Sequence, residues 1–228
     1  MVEDIAVTKL DPRPSVARAP GIRVHPCLLN RMAGVASLLL ALAACAGPAA
    51  PPDVFWRIEP AAAERLAKPL LPGVLEVQRL TADGVLDERA ITFAAREGGA
   101  LSHYKYDLWS EPPGLMLQDR LSRYLTQAGT AERVLTPDLG VLADWTLRGK
   151  IRRLEFLADT SKVVVEMELS VVSARNGTLL LLERYEAVRP AGSSGVEGMV
   201  TAMDKATSEI FARFLADLTK ASAGKPTP

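Results

Sequence analysis

The sequence predicts an α+β protein, with a mostly antiparallel sheet and two amphipathic helices packed on one face. Three observations carry this expectation. In "KVVVEMELSVVSA", Val163, Val165, Met167, Leu169 and Val171 alternate with Val164, Glu166, Glu168, Ser170 and Val172, the period-two pattern of a strand. Asn176-Gly177 follows at once, a strong signal for a two-residue hairpin turn. Two further segments, after Ser110 and after Gly195, repeat apolar residues at three- and four-residue steps, the period of a helix.

The elements begin after an N-terminal leader. Residues 34–47, "GVASLLLALAACAG", form an uncharged run too short for a hydrocarbon core that needs roughly 20 apolar residues. Arg23 and Arg31 supply positive charge ahead of it, Val35 to Leu42 the apolar core, and Ala43 and Ala44 the small residues of a cleavage site. Leu42-Ala43-Ala44-Cys45 resembles the bacterial lipobox. That resemblance implies a diacylglycerol thioether on Cys45, cleavage before it, and acylation of the new amine. Residues 1–44 are then removed, and the part before Arg23 reads as an over-long gene start. His25 and Cys27 fall in this segment, and two lone ligands make no metal site.

The remaining 184 residues hold 22 Lys plus Arg against 24 Asp plus Glu, a formal charge of −2. That length suits one domain with a real core. Near-neutral charge and 5% aromatic residues argue against a nucleic-acid partner, which demands a concentrated basic surface. Cys45 is the one cysteine left, so no disulfide framework is expected.

Residues 45–53 read as the lipidated cysteine and a proline-rich tether, "AGPAAPP", whose prolines limit collapse. A single domain is expected over 54–221 and a disordered tail over 222–228. Within the domain "VFWRIEP", "GVLEVQRL" (73–80) and "RAITFAAR" read as strands, and Gly98-Gly99 as the turn into the returning strand "LSHYKYDLW". Next comes a helix that Ser110 caps, Pro112 and Pro113 open, and Gly129 closes. Leu117, Leu121, Tyr124 and Ala128 form its apolar stripe, with Leu125 beside it and Asp119, Arg120 and Arg123 turned outward.

"ADWTLRGKIRRLEF" places Trp145, Leu147, Gly149 and Ile151 on one face before the phase slips to Leu154 and Phe156, which predicts a bulge near Arg152-Arg153. After the 162–174 strand and its hairpin, "TLLLLERYEAV" returns. The chain closes with a helix from about Gly195 to Lys220, striped by Val196, Val200, Met203, Thr207, Ile210, Phe214 and Leu218.

Catalytic patterns are missing. His103 is the only histidine after the leader, and it sits on a predicted hairpin without a nucleophile signature. No HExxH, CxxC or GxxxxGK[ST] occurs, so neither an enzyme nor a cofactor beyond the covalent lipid on Cys45 is expected. Glu166 and Glu168 share a strand face and read as solvated rather than as paired catalytic carboxylates. The cations Arg148, Lys150, Arg152 and Arg153 suit either an anionic partner or an ordinary exposed strand.

Several motifs occur together in order. They are Cys45 in its lipobox, "FWRIEP", Arg89 with Ile91, the Gly98-Gly99 turn, Trp109 with Pro113, and Leu117 with Leu121. In this the chain resembles the ABC-type transport auxiliary lipoproteins, the PqiC-like family, with Trp56 and Ile58 where tyrosine and leucine are more usual.

The resemblance implies a periplasm-facing lipoprotein on the inner leaflet of the outer membrane. It would serve an ABC transporter and an MCE-domain protein that move phospholipid or another hydrophobic molecule between membranes. The mechanism it implies is docking, with Trp109, Pro112 and Pro113 shaping either the docking region or a structural corner. A homo-oligomer fits, because a tunnel or collar needs several copies. Two other classes remain at this stage: an activator of a cell-wall synthase, against which the short tether counts, and a lipid-anchored hydrolase.

Overall fold

The most regular stretch of the sequence builds the middle of the fold. Lys162–Ser173 is a strand whose Val163, Val165, Met167, Leu169 and Val171 are all fully buried on its inner face. The computed structural model describes residues 50–192 and 195–224. Its strands are β1 (Val54–Trp56), β2 (Leu71–Val77), β3 (Thr81–Ala82), β4 (Ala90–Ala94) and β5 (Leu101–Trp109). After helix α1 (Pro113–Ala128) come β6 (Ala131–Leu135), β7 (Trp145–Leu157), β8 (Lys162–Ser173) and β9 (Leu179–Pro190), then α2 (Gly195–Ala223). The leader, the lipobox residues Leu42, Ala43 and Ala44, Cys45, the tether to residue 49, and residues 225–228 lie outside the described residues.

The sheet corrects the expected topology. One edge of the 13-residue β7 pairs antiparallel with β8 along its whole length. The other edge takes β2, β3 and β4 end to end, each parallel to it. Outward from these, β6 lies parallel to β2, β5 antiparallel to β4, and β1 parallel to β5. With β9 antiparallel to β8, the nine strands form a mixed sheet curled into a half-barrel. The mostly antiparallel sheet fails for a physical reason. Turn residues mark antiparallel hairpins locally, whereas parallel neighbours are joined by crossovers that leave no local mark.

Local details follow the sequence with some corrections. The bulge forms where the phase slips, between Ile151 and Arg153. The Asn176-Gly177 turn is longer than expected: Ser173 N–H donates to Thr178 O, enclosing four residues, with Gly177 at φ +69°. Ser110 does not cap α1. Its N–H donates to Trp56 O at 2.8 Å, and Pro112 occupies the cap position without a side-chain bond. Gly129 closes the helix in the left-handed conformation, its N–H shared between Leu125 O and Thr126 O. Helix α2 runs three residues past Lys220.

Both helical stripes are buried in one core with the inner face of the sheet. Helix α1 packs by β6, β2 and β3, and α2 by β8 and β9. The two helices meet where the Tyr124 and Phe211 rings approach to 5.5 Å. Each fully buried Leu, Ile or Phe here contributes about 1.5–3 kcal/mol. Among the described residues, no helix is long and apolar enough to cross a membrane.

The outer face of the sheet is less open than its sequence suggests. Glu166, expected in solvent, is 3% exposed and lies under the Arg184 guanidinium, to which it is ion-paired. Arg153 lies near Glu97, Glu155 and Glu186, and Arg152 pairs with Glu168 at 3.2 Å. The predicted basic cluster is thus largely woven into an ionic lattice.

Candidate functional site

The corner between β5 and α1 holds Trp109, Pro112 and Pro113. Trp109 is 1% exposed. Its N–H donates to Arg89 O at 2.6 Å, and Arg89 Nε returns a bond to Trp109 O at 3.0 Å. Pro113 is buried and Pro112 half-buried. Gly114 follows because the helix start lies against the Leu80 carbonyl, which a Cβ would overlap. Trp109 therefore works from inside the corner, and a partner arriving here meets its exposed rim. That rim is Phe55, 5.0 Å below the Arg89 guanidinium, together with Val54 and Leu115.

A second surface lies in the loop from β6 to β7, which sequence patterning left unassigned. Leu139, Val141 and Leu142 are all exposed, Leu142 at 94%. Apolar residues held in water in one short loop are the usual mark of an interaction surface. Asp144 anchors the loop's end. Its carboxylate accepts the Val74 N–H at 3.0 Å and the Arg175 Nη2–H at 2.7 Å. Its own backbone N–H donates to Val74 O, and its carbonyl accepts from Ala174 N–H. The Val74 bond first, and the Arg175 bond second, hold this carboxyl below the usual aspartate range. Gly73 makes room for it, since a Cβ there would overlap the Asp144 carboxylate. The sequence signal for this loop was present as "LGVL" between turn residues, an apolar run outside any strand or helix pattern.

Strand directions set where this loop points. β1 runs antiparallel to β7, since β1 is parallel to β5, β5 antiparallel to β4, and β4 parallel to β7. The chain therefore enters β1 from the Leu157 end of β7, while the loop sits at the Trp145 end. A strand of this length spans about 40 Å.

A third feature is a groove of about 580 Å³ between residues 61–66 and the two helices, floored by Tyr124, Ala212, Leu215 and Ala216. A strap at residues 58–61 borders it. Arg120, expected to face outward, is folded in and donates to Ile58 O at 2.8 Å and to Glu59 Oε1 at 2.7 Å. From α2, Asp204 accepts the Glu59 N–H and Ser208 Oγ accepts the Ala61 N–H, both at 2.8 Å. Burial pushes the Asp204 carboxyl up.

Chemistry-bearing residues do not converge. His103 is exposed on β5 opposite Thr92, and no group of three His, Cys, Asp or Glu side chains among the described residues could hold a metal. Glu166 and Glu168 are each tied to an arginine.

The domain is thus a half-barrel covered by helices, with exposed apolar groups on the rim, on one end loop and on β9, among other places. The chain belongs to the family of ABC-type transport auxiliary lipoprotein components, whose family model matches residues 57–214. Two solved structures share the fold. Protein XCC0632 from Xanthomonas campestris is 18% identical with a TM-score of 0.65, the match covering 75% of this chain and 98% of that one. A second, described as an uncharacterized protein, is 14% identical with a TM-score of 0.56 over the same shares. No curated protein matches the sequence.

Proposed function

We propose that the protein is the lipid-anchored auxiliary component of an ABC transport system with an MCE-domain partner. It faces the periplasm, held by acyl chains on Cys45 in the inner leaflet of the outer membrane. The system moves phospholipid or another hydrophobic molecule between the two membranes. The observation that carries this reading is the family match over residues 57–214, which spans nearly the whole described domain. The lipobox at Leu42, Ala43, Ala44 and Cys45 supports the anchor, because two or three acyl chains hold a protein stably where one does not.

The protein acts by docking and not by catalysis. Its chain enters from one end of β7, and the apolar loop with Leu139, Val141 and Leu142 lies at the other, suited to a partner beyond the anchoring membrane. The test is purification of the lipidated protein from its own envelope, followed by mass spectrometry of the co-purified chains. An MCE-domain protein or transporter permease is expected, and Leu139→Asp with Leu142→Asp should reduce its recovery severalfold. Cell-wall synthases without any transporter component would overturn the reading.

A further inference from the structure

Among the described residues β9 is an edge strand, paired with β8 on one side only. Its register tells which backbone groups face outward. Ala191 N–H donates to Ser161 O at 2.9 Å, one rung beyond the Lys162–Pro190 pair. Antiparallel rungs alternate, so odd-numbered residues of β9 turn their backbone groups to β8, while Leu182, Arg184, Glu186 and Val188 turn theirs to the open edge. Two side chains agree with this assignment: Arg213 donates to Glu186 O at 2.8 Å and Arg189 to Val188 O at 2.9 Å. The side chains of the same four residues are exposed, and Leu182 (51%) and Val188 (38%) are apolar.

We propose that β9 pairs antiparallel with β9 of a second copy of this chain, about a two-fold axis at Tyr185. In this register Leu182 faces Val188 of the second copy and Arg184 faces its Glu186, each contact occurring twice, as a two-fold interface requires. Moving the axis one residue either way sets Arg184 against Arg184 or Glu186 against Glu186. Like charges directly opposite are destabilising, so the charge pattern disfavours both neighbouring registers.

The guanidinium contacts on the Glu186 and Val188 carbonyls do not block the pairing, because each carbonyl has a second lone pair. The ionic lattice of the outer face would continue across the axis, from the Arg184–Glu166 pair of one copy to Glu186 of the other. An open strand edge of this length is a template for such pairing. The contact is narrower than the roughly 1,200 Å² of a stable interface. The dimer therefore forms where copies are concentrated, as on a membrane surface. It does not depend on the transport role, and its failure would leave that role standing.

The test is oxidative cross-linking of the Leu182→Cys/Val188→Cys double variant in its own membranes. The two single variants and the parental chain run beside it, the parent reporting background from any unprocessed precursor that keeps Cys27 and a free Cys45 thiol. Both positions are exposed, so the fold tolerates the changes. The double variant should give severalfold more disulfide-linked dimer than the parent, and neither single variant should exceed the parent. No excess in the double variant, or an equal excess in a single one, overturns the register. Without cysteines, Leu182→Asp should lose the dimer trapped by a bifunctional amine cross-linker, and adding Val188→Arg, which supplies a cation but no new amine, should restore it. A loss that the second change does not repair overturns the pairing.

Discussion

Asp144 shows how one side chain can join three elements, tying the β6–β7 loop to β2 through Val74 and to the β8–β9 hairpin through Arg175. Its folded carboxyl titrates below the unfolded value, so its contribution is complete above about pH 4 and is lost as pH falls through the folded pKa. Asp144→Asn should lower Tm at pH 7, and the gap to the parent should close as pH falls below about 4. A gap that stays constant across a pH series of thermal melts would contradict this account. Nothing local in the sequence marks Asp144, because its partners lie 70 and 31 residues away. Gly114 is hidden in the same way. Gly114→Ala should cost about 1–3 kcal/mol by overpacking against Leu80, read as a lower urea midpoint at unchanged slope.

At the scale of elements, α1 was legible because its signals other than the Ser110 cap agree. Pro112 and Pro113 open it, Gly129 closes it, and the stripe from Leu117 to Ala128 is buried. What the stripe could not show is the outward-reading Arg120, drawn in by the carbonyl of Ile58, a contact across 62 residues. Arg120→Ala should remove about 1.5–3 kcal/mol, the usual worth of hydrogen bonds to a charged group. Amide exchange at Glu59 and Ala61 should quicken in that variant, since both hang from the strap Arg120 clamps. Unchanged exchange there would show that Asp204 and Ser208 hold the strap alone. Glu166 teaches the complementary lesson. Alternation correctly puts it on the outer face of β8, but Arg184 from the neighbouring strand then covers it, and burial follows from the neighbour rather than from the period.

For the whole molecule, two features matter: Cys45, which the proposed anchor uses, and the apolar loop at the Trp145 end of β7. Cys45→Ala should leave a folded domain that is unprocessed or unanchored, visible as loss from the membrane fraction after washing. Full retention of that variant in washed membranes would end the lipobox reading. Trp109 and Pro113 are buried in the scaffold of the domain. Their sequence pattern drew attention to a corner whose buried side is structural and whose exposed side is carried by Phe55 and Leu115.

The sequence by itself determined the two helices, the hairpins, the bulge in β7, the inward residues of β8 and the family, because these rest on periodicity, turn chemistry and short motifs. Only the tertiary structure decided that β2, β3 and β4 share one edge of β7 in parallel. It alone covered Glu166, drew Arg120 inward and left Leu142 in water. Each of those depends on partners brought together across tens of residues, where no local pattern reaches. The strand edge at β9 stands between the two: its charge pattern is written in the sequence, but only the fold shows that the edge is open among the described residues.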